Sequence, residues 1–461
     1  MVRLFKHYIP HAAIVVGVID LLLLYLAGDL AWRLRAAQIG MDPGTVADRF
    51  WQLSGQAAVM ITTMVAVGVY GPEAFRSVRY AAARIVVAAS FGIIGLAFLD
   101  FMMGGGNFWR STLAYAMAGS IFALVLNRLL IGAAIGTEAF RRRILVLGAG
   151  SRAERLRVLS ERAESSFCIS GFVSLDDGAP VVPDPLPRAK IPNLTSHVEG
   201  LGVSEVVLAL EERRNSLPLA DLVRIKTTGV HVNEFSSFIE RETGRIDLAT
   251  VNPSWLIFSD GFSSGRVVTR ALKRLFDIIA SGLALVIAGP LIGLFAALVC
   301  FDSKGPAFYR QRRVGLYGEP FYVIKLRSMR TDAEANGAQW AAKNDPRVTR
   351  IGHFIRKTRI DELPQLWTVL TGQMSFVGPR PERPEFVAEL ERHLPFYAER
   401  HMVKPGITGW AQINYPYGAS IEDARHKLEY DLYYAKNYTP FLDLLILLQT
   451  LRVVLWNEGA R

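Results

Sequence analysis

Long apolar runs fill the first third of the chain, at about 11–27, 53–70, 84–103 and 113–136. Each approaches the roughly 17–25 residues that cross a bilayer as a helix. The pattern therefore predicts four membrane helices, although Asp20 interrupts the first run and Arg128 the fourth. Beyond residue 140 the rhythm changes. Short apolar segments at 143–147, 168–174, 204–210 and 229–235 alternate with helical stretches, the signature of an open α/β sheet. A fifth uncharged run follows Lys273-Arg274-Leu275-Phe276-Asp277 and reaches Asp302, with Gly289-Pro290 in its middle. A last apolar run at 441–456 carries Asp443, Gln449, Thr450 and Arg452.

Composition supports a membrane protein. The 461 residues are 51% hydrophobic and only 20% charged, with a mean hydropathy of +0.24, which excludes a disordered chain. Two cysteines, Cys168 and Cys300, cannot build a disulfide framework. No small-residue cleavage site follows the first run, and more apolar runs come after it, so it does not read as a signal peptide. Basic residues set the expected orientation. Arg3 and Lys6 precede the first run, Arg76 and Arg79 lie between the second and third, and Arg141, Arg142 and Arg143 follow the fourth. That bias places both ends of the bundle, and the chain beyond residue 140, in the cytosol. The net charge of +10 suits nucleic acid, anionic lipid or phosphate substrates.

The middle segment opens with Ile144-Leu145-Val146-Leu147 and then Gly148-x-Gly150-x-x-Ala153, a dinucleotide-type fingerprint. Gly148 and Gly150 would let backbone N–H groups approach a phosphate at a helix N-terminus. Asp176-Asp177-Gly178 would supply a ribose-binding acid or form a plain turn. The fingerprint is short, so nucleotide binding and a structural or regulatory role both stand. A membrane nucleotide-sugar dehydratase or epimerase would need a Tyr-x-x-x-Lys pair; none of the eleven lysines has a tyrosine four residues before it.

The fifth run is long enough to span, but Lys304, Arg310, Arg312, Arg313, Lys325, Arg327 and Arg330 come after it. That basic density belongs on the cytosolic side. A re-entrant helix over about 270–300 that turns at Pro290 and returns reconciles the two. Lys325-Leu326-Arg327-Ser328-Met329 then forms a basic cluster, either a phosphate clamp or a headgroup-facing surface. Next comes Asp361-Glu362-Leu363-Pro364. Pro364 predicts a helix start, and Gly372 its stop near Thr371. The helix dipole and the cations Arg350, Arg356, Lys357 and Arg359 should keep both carboxylates ionised. An ionised carboxylate can attack phosphorus or hold Mg²⁺; an ordinary acidic cap is the plainer alternative. In Gly378-Pro379-Arg380-Pro381 two prolines pre-place a guanidinium suited to phosphate oxygens. Lys404-Pro405-Gly406-Ile407-Thr408-Gly409-Trp410 is a second rigid basic turn, able to contact a sugar or lipid phosphate or simply to pack.

In this order the motifs of 268–461 resemble the bacterial sugar transferase family, the monotopic polyprenol-phosphate phosphoglycosyl transferases. They include Lys-Arg-x-x-Asp, Gly305-Pro306-x-Phe308-Tyr309-x-Gln311-x-Arg313-x-Gly315, Lys-x-Arg-Ser-Met, Asp-Glu-Leu-Pro-Gln-Leu, Val-Gly-Pro-Arg-Pro and Lys-Pro-Gly-Ile-Thr-Gly-Trp. The preceding spans and sheet resemble the large subgroup that initiates exopolysaccharide or O-antigen synthesis. The opening Met-Val-Arg-Leu-Phe-Lys-His-Tyr and the apolar end are similar to sugar transferases of exosortase-associated polysaccharide clusters.

The resemblance implies transfer of a hexose-1-phosphate from a UDP-sugar to undecaprenyl phosphate, with UMP released, through a covalent aspartyl-phosphosugar. It implies Asp361 as nucleophile, Glu362 as its acidic neighbour, and Mg²⁺ on both. Lys325, Arg327, Arg380 and Lys404 would bind phosphates. Lys273 and Arg274 would meet lipid headgroups where the re-entrant helix begins. The predicted architecture is membrane α plus α/β. It comprises a four-helix transmembrane bundle (1–138), a Rossmann-like parallel-sheet module (139–265) and a mostly α catalytic domain (266–461) ending in an interfacial helix. The expected location is the bacterial inner membrane with the catalytic domain cytosolic. UDP-sugar, undecaprenyl phosphate and membrane lipid are the expected partners, with no nucleic acid, and a homodimer is a further expectation. A nucleotide-sugar dehydratase or epimerase and a non-catalytic nucleotide-sensing scaffold are the alternatives. Two departures from the family pattern stand out: Gly289 replaces a common serine before Pro290, and no arginine follows Gly409-Trp410-Ala411-Gln412 until Arg425.

Overall fold

The computed structural model describes residues 2–4, 7–9, 11–70, 78–102, 110–135, 141–162, 165–175, 179–211, 217–251, 267–333, 345–416, 418 and 420–456. Two compact units divide the chain near residue 243.

The first unit begins with four long helices, α1 (His11–Ile39), α2 (Phe50–Val67), α3 (Val78–Met102) and α4 (Arg110–Ile135). Each contains a stretch long and apolar enough to cross a membrane. α1 packs on α2 and α4, and α3 packs on the same two. The two charges that interrupted the apolar pattern meet each other. Arg128 donates to both oxygens of Asp20, at 3.1 and 2.6 Å, and Asn127 adds a bond of 2.9 Å. All three side chains are buried. Mutual neutralisation is how ionisable groups persist among membrane helices.

An all-parallel sheet comes next: β1 (Arg142–Leu147), β2 (Phe167–Ser174), β3 (Leu186–Pro187), β4 (Glu205–Leu208) and β5 (His231–Glu234). Their spatial order is β3-β2-β1-β4-β5, which winds to both sides of β1 as in a doubly wound sheet. Helices α5 (Ser151–Glu161), α6 (Leu194–Leu201), α7 (Leu219–Thr227) and α8 (Phe235–Thr243) alternate with the strands. β1 is buried along Ile144–Leu147 because two apolar clusters cover its faces.

The second unit starts at Gly244, about twenty residues before the expected boundary. The reason is packing: Ile246 and Leu248 sit in one core with Trp410, Leu432 and Tyr433. Helix α9 (Val267–Asp302) runs through Pro290 without interruption, where the sequence suggested a break. No residue from 282 to 298 is buried. Val286 and Ile287 are 76% and 80% exposed, apolar surface that water disfavours. Both ends of α9, in contrast, are tied down. Asp277 accepts from Ser375 Oγ and Phe376 N at 3.0 and 3.1 Å, and Asp302 accepts from Ile351 N at 3.0 Å.

A hairpin of β6 (Phe308–Val314) and β7 (Pro320–Leu326) follows. Then come α10 (Arg350–Lys357), α11 (Gln365–Thr371), β8 (Ser375–Val377), α12 (Pro384–His393), β9 (Gly406–Thr408), α13 (Trp410–Asn414), α14 (Ile421–Asn437) and α15 (Pro440–Trp456). α15 was expected at the membrane interface. In the structure Leu442 and Ile446 enter the core. Thr450 meets Thr408 at 2.8 Å, and Asp443 is buried.

Candidate active site

Asp361 and Glu362 lie in a short 3₁₀ turn, Ile360–Glu362, between α10 and α11. Arg359 before them holds a left-handed φ of 59°, a strained choice for a residue with a Cβ and one that clusters at functional sites. α11 then starts after Pro364 and stops at Gly372, whose φ is 93°, matching the proline-in, glycine-out pattern.

The strand end, the dyad turn and the Val377-Gly378-Pro379-Arg380 loop converge on one carboxylate. Glu362 Oε1 accepts from Arg380 at 2.6 Å and from Lys325 at 3.2 Å, with Arg359 at 3.8 Å. Burial alone would raise the Glu362 carboxyl, but Arg380 and Lys325 outweigh it and hold it far below the usual range. Burial pulls the Lys325 ammonium down, against the attraction of Glu362.

Asp361 is the opposite case. Burial, and then the Glu362 charge, raise its carboxyl above the ordinary value. Burial outweighs the cations at Asp361, and the cations outweigh burial at Glu362. Asp361 Oδ1 is buried without a hydrogen-bond partner. A buried acceptor left unsatisfied in a folded protein has a reason, such as a catalytic role or a bound water or ion. Among the described residues no three His, Cys, Asp or Glu side chains gather to hold a metal ion. Mg²⁺ commonly takes only one or two carboxylates and completes its shell with water and substrate phosphates. An orphaned carboxylate oxygen beside an ionised glutamate fits that habit.

The arginine loop is set by close backbone contact. β8 and β9 run parallel, with Ser375 opposite Gly406 and Val377 opposite Thr408. A Cβ on Gly378 would collide with the Lys404 carbonyl, one on Gly406 with Gly378 N, and one on Gly409 with the Gly378 carbonyl. The Gly-Pro-Arg-Pro and Lys-Pro-Gly-Ile-Thr-Gly segments are therefore two halves of one structure, a relation invisible in their sequence spacing.

Other expected site residues are placed elsewhere. Arg327 is only 5% exposed. It donates to Ser303 O at 2.6 Å and to Lys304 O and Gly305 O, capping the C-terminal end of α9 rather than clamping phosphate. A helix end presents orphan carbonyls, and a buried guanidinium satisfies several at once. Arg274 does the same for α11, donating to Val369 O and Leu370 O at 2.7 and 2.6 Å. Lys273 donates to Val377 O, Tyr434 Oη and Asp443 Oδ2 at 3.1, 3.1 and 2.5 Å. Both cations expected at lipid headgroups thus spend their donors inside the protein. Lys404 is half-buried; burial, Arg274 and Lys273 lower its ammonium and Asp277 opposes them. Its charged surroundings are the start of α9.

In the first unit, Gly148 has a φ of 131°, and a Cβ there would strike the Ala209 carbonyl. Gly150 leads into α5, where Glu211 Oε1 accepts from Ser151 N at 2.9 Å and Ser151 Oγ at 2.7 Å. The protein's own carboxylate thus occupies the helix N-terminus at which a phosphate would sit. Asp176-Asp177-Gly178 lies outside the described residues. Sequence reasoning assigned no role to Arg313, Arg400 or Asp431, which hold the arginine loop; their only signal was that Arg313 belongs to a motif.

A family model described as bacterial sugar transferase matches residues 268–457. A UDP-N-acetylgalactosamine-undecaprenyl-phosphate N-acetylgalactosaminephosphotransferase of Aeromonas hydrophila is 41% identical over 240 residues, 52% of this chain and 56% of that protein. A UDP-glucose:undecaprenyl-phosphate glucose-1-phosphate transferase of Xanthomonas campestris pv. campestris is 43% identical over 197 residues, 42% of this chain and 40% of that protein. The uncharacterized sugar transferase EpsL of Bacillus subtilis (strain 168) is 43% identical over 194 residues, 41% of this chain and 90% of that protein. The chain thus spans 56% of the length of the Aeromonas relative and 40% of the Xanthomonas one.

Proposed function

This chain belongs to the bacterial sugar transferase family, and from that premise we propose that it moves a hexose-1-phosphate from a UDP-sugar to undecaprenyl phosphate. UMP and undecaprenyl-diphosphate-sugar are the products. The observation that carries this reading is the buried, unpartnered Asp361 Oδ1 beside a glutamate held ionised by Arg380 and Lys325. Phosphoryl transfer depends on positioning and charge neutralisation more than on proton shuttles.

Two displacements account for the chemistry. Asp361 Oδ1 attacks the phosphorus bearing the sugar, the bond to the UMP oxygen breaks, and UMP leaves with that electron pair. An oxygen of undecaprenyl phosphate then attacks the same phosphorus and frees the aspartate. Desolvation strips water from the Asp361 carboxylate and sharpens it as a nucleophile. Arg380 and Lys325, which share one oxygen of Glu362, are the cations placed to neutralise the diphosphate charge. Asp361 and Glu362 would hold Mg²⁺, which supplies Lewis-acid neutralisation of the diphosphate charge. Relatives are named for glucose-1-phosphate and N-acetylgalactosamine phosphate transfer, so UDP-glucose and UDP-N-acetylgalactosamine are the donors to test first.

α9 enters the hydrocarbon as a re-entrant helix, continuous through Pro290, a reading supported by its tethered ends and unburied apolar middle. α1–α4 form a transmembrane bundle, and the dyad faces the cytosol at the inner membrane, where a lipid phosphate lies within reach.

UMP release should be measured on the full chain in lipid nanodiscs, with and without undecaprenyl phosphate, for a panel of UDP-sugars. Lipid-dependent release from one donor is expected. Asp361→Asn should lower it by at least about 10³-fold and remove any phosphosugar adduct seen by mass spectrometry. Full activity in Asp361→Asn would overturn the mechanism.

A further inference from the structure

Pro379 and Pro381 flank Arg380, so two of the three peptide units around it lack an N–H. The loop must be held largely by its carbonyls, and each one is engaged. Pro379 O accepts from Gly406 N at 3.0 Å, Pro381 O from Arg313 Nη1 at 3.0 Å, and Glu382 O from Val314 N at 2.9 Å. The Arg380 carbonyl accepts from Arg400 Nη2 at 3.0 Å. Three of these donors are backbone groups or belong to the adjacent hairpin. Arg400 differs because it arrives from the interior.

Arg400 is 5% exposed and Asp431 2%. Nε and Nη2 of Arg400 donate to Asp431 Oδ2 at 3.1 and 2.7 Å, and Nη1 donates to Tyr397 Oη at 2.7 Å. Burying two charges is costly, and a well-packed apolar pair would often do as well for stability. What an apolar pair lacks is a rigid donor aimed at the Arg380 carbonyl. A guanidinium gripped on two sides has a third direction fixed by its planarity.

We propose that Arg400, oriented by Asp431 and Tyr397, is a positioning residue for the transfer reaction. It pins the main chain of Arg380 so that the Arg380 guanidinium stays on Glu362 and at the diphosphate. This rests on the function proposed above. Arg400 touches no reacting atom; it acts through Arg380.

The test uses the full chain in nanodiscs and four variants, two of them in an Arg380→Ala background. Arg400→Lys keeps a charge opposite Asp431 but has no second arm for the Arg380 carbonyl. Arg400→Met/Asp431→Leu removes the pair without leaving a lone buried charge. Displacing a clamp by about 1 Å can cost on the order of 10²-fold, so both should slow UMP release by that order, chiefly in kcat. In an Arg380→Ala background, Arg400→Lys should cause no further loss, because its effect runs through the missing side chain. Losses that multiply across the two backgrounds would overturn the inference, as would wild-type turnover in a folded Arg400→Met/Asp431→Leu. Hydrogen exchange gives a readout separate from turnover. In Arg400→Lys and in Arg400→Met/Asp431→Leu, the amides of Gly378, Arg380, Glu382 and Arg383 should lose protection while α14 keeps it. Loss spread evenly over the unit would mark a merely structural pair. Wild-type protein inactive with every donor would refute the function instead, and the exchange result would still decide the anchoring.

Discussion

Lys273→Met offers a sharp trial of the interior assignment. The Lys273 ammonium is 13% exposed and Asp443 6%, and their 2.5 Å contact joins the start of α9 to α15. Removing the lysine leaves a carboxylate in the core, and breaking a buried pair costs about 3–5 kcal/mol. The low end applies here, because Tyr434 Oη still donates to Asp443 Oδ1 at 2.7 Å. About 3 kcal/mol translates into a fall in melting temperature of about 6–12 °C for a unit of this size. The double variant Lys273→Met/Asp443→Leu should recover most of that loss. Tyr434 Oη then keeps the Val377 carbonyl, 3.0 Å away, as its acceptor. Differential scanning fluorimetry in nanodiscs reads both. A single variant that melts like the wild type but binds anionic vesicles less well would refute the interior role and restore Lys273 to the headgroups.

The same geometry yields two more expected outcomes. Gly406→Ala puts a methyl group against Gly378 N and should destabilise by about 3 kcal/mol, the upper end for overpacking. Gly200→Ala, with open space around it, should leave the melting temperature within a degree or two of wild type, and the two are compared by fluorimetry. Burial, and then the neighbouring Arg400 charge, push His401 down to about 3. Unfolded histidine titrates near 6.5, so below that the unfolded chain takes up the proton first. Stability should fall as pH drops through the window from about 6.5 to 3. Between about pH 7.5 and 5 the loss is about 2 kcal/mol, and His401→Gln should abolish that share in melting curves recorded at both pH values.

Four apolar helices, an alternating α/β segment, a helix opened by Pro364 and closed by Gly372, and the motif order of a sugar transferase were all legible in the sequence. These features are local. They depend on hydropathy over one helix length, on the special backbone of proline and glycine, and on short patterns that need no partner to be recognised. The sequence also brought Asp361, Glu362, Lys325, Arg327, Arg380 and Lys404 forward as one set, through the family resemblance rather than through spacing, and the structure gathers Asp361, Glu362, Lys325 and Arg380 of them.

Tertiary structure decided how each charge is used. Lys325 and Arg327 sit two residues apart on the same strand end, yet one meets Glu362 and the other caps α9. Asp20 and Arg128 looked like flaws in two spans and are a pair. Arg400 and Asp431, 31 residues apart, meet only because α14 packs beneath the Arg380 loop. Asp361 and Glu362 are neighbours in sequence with opposite shifts. One is buried with its Oδ1 unpartnered, and the other is buried among three cations. The physical reason is common to all of these. A charged side chain reports its role through its partner and its distance from water, and both are properties of the fold.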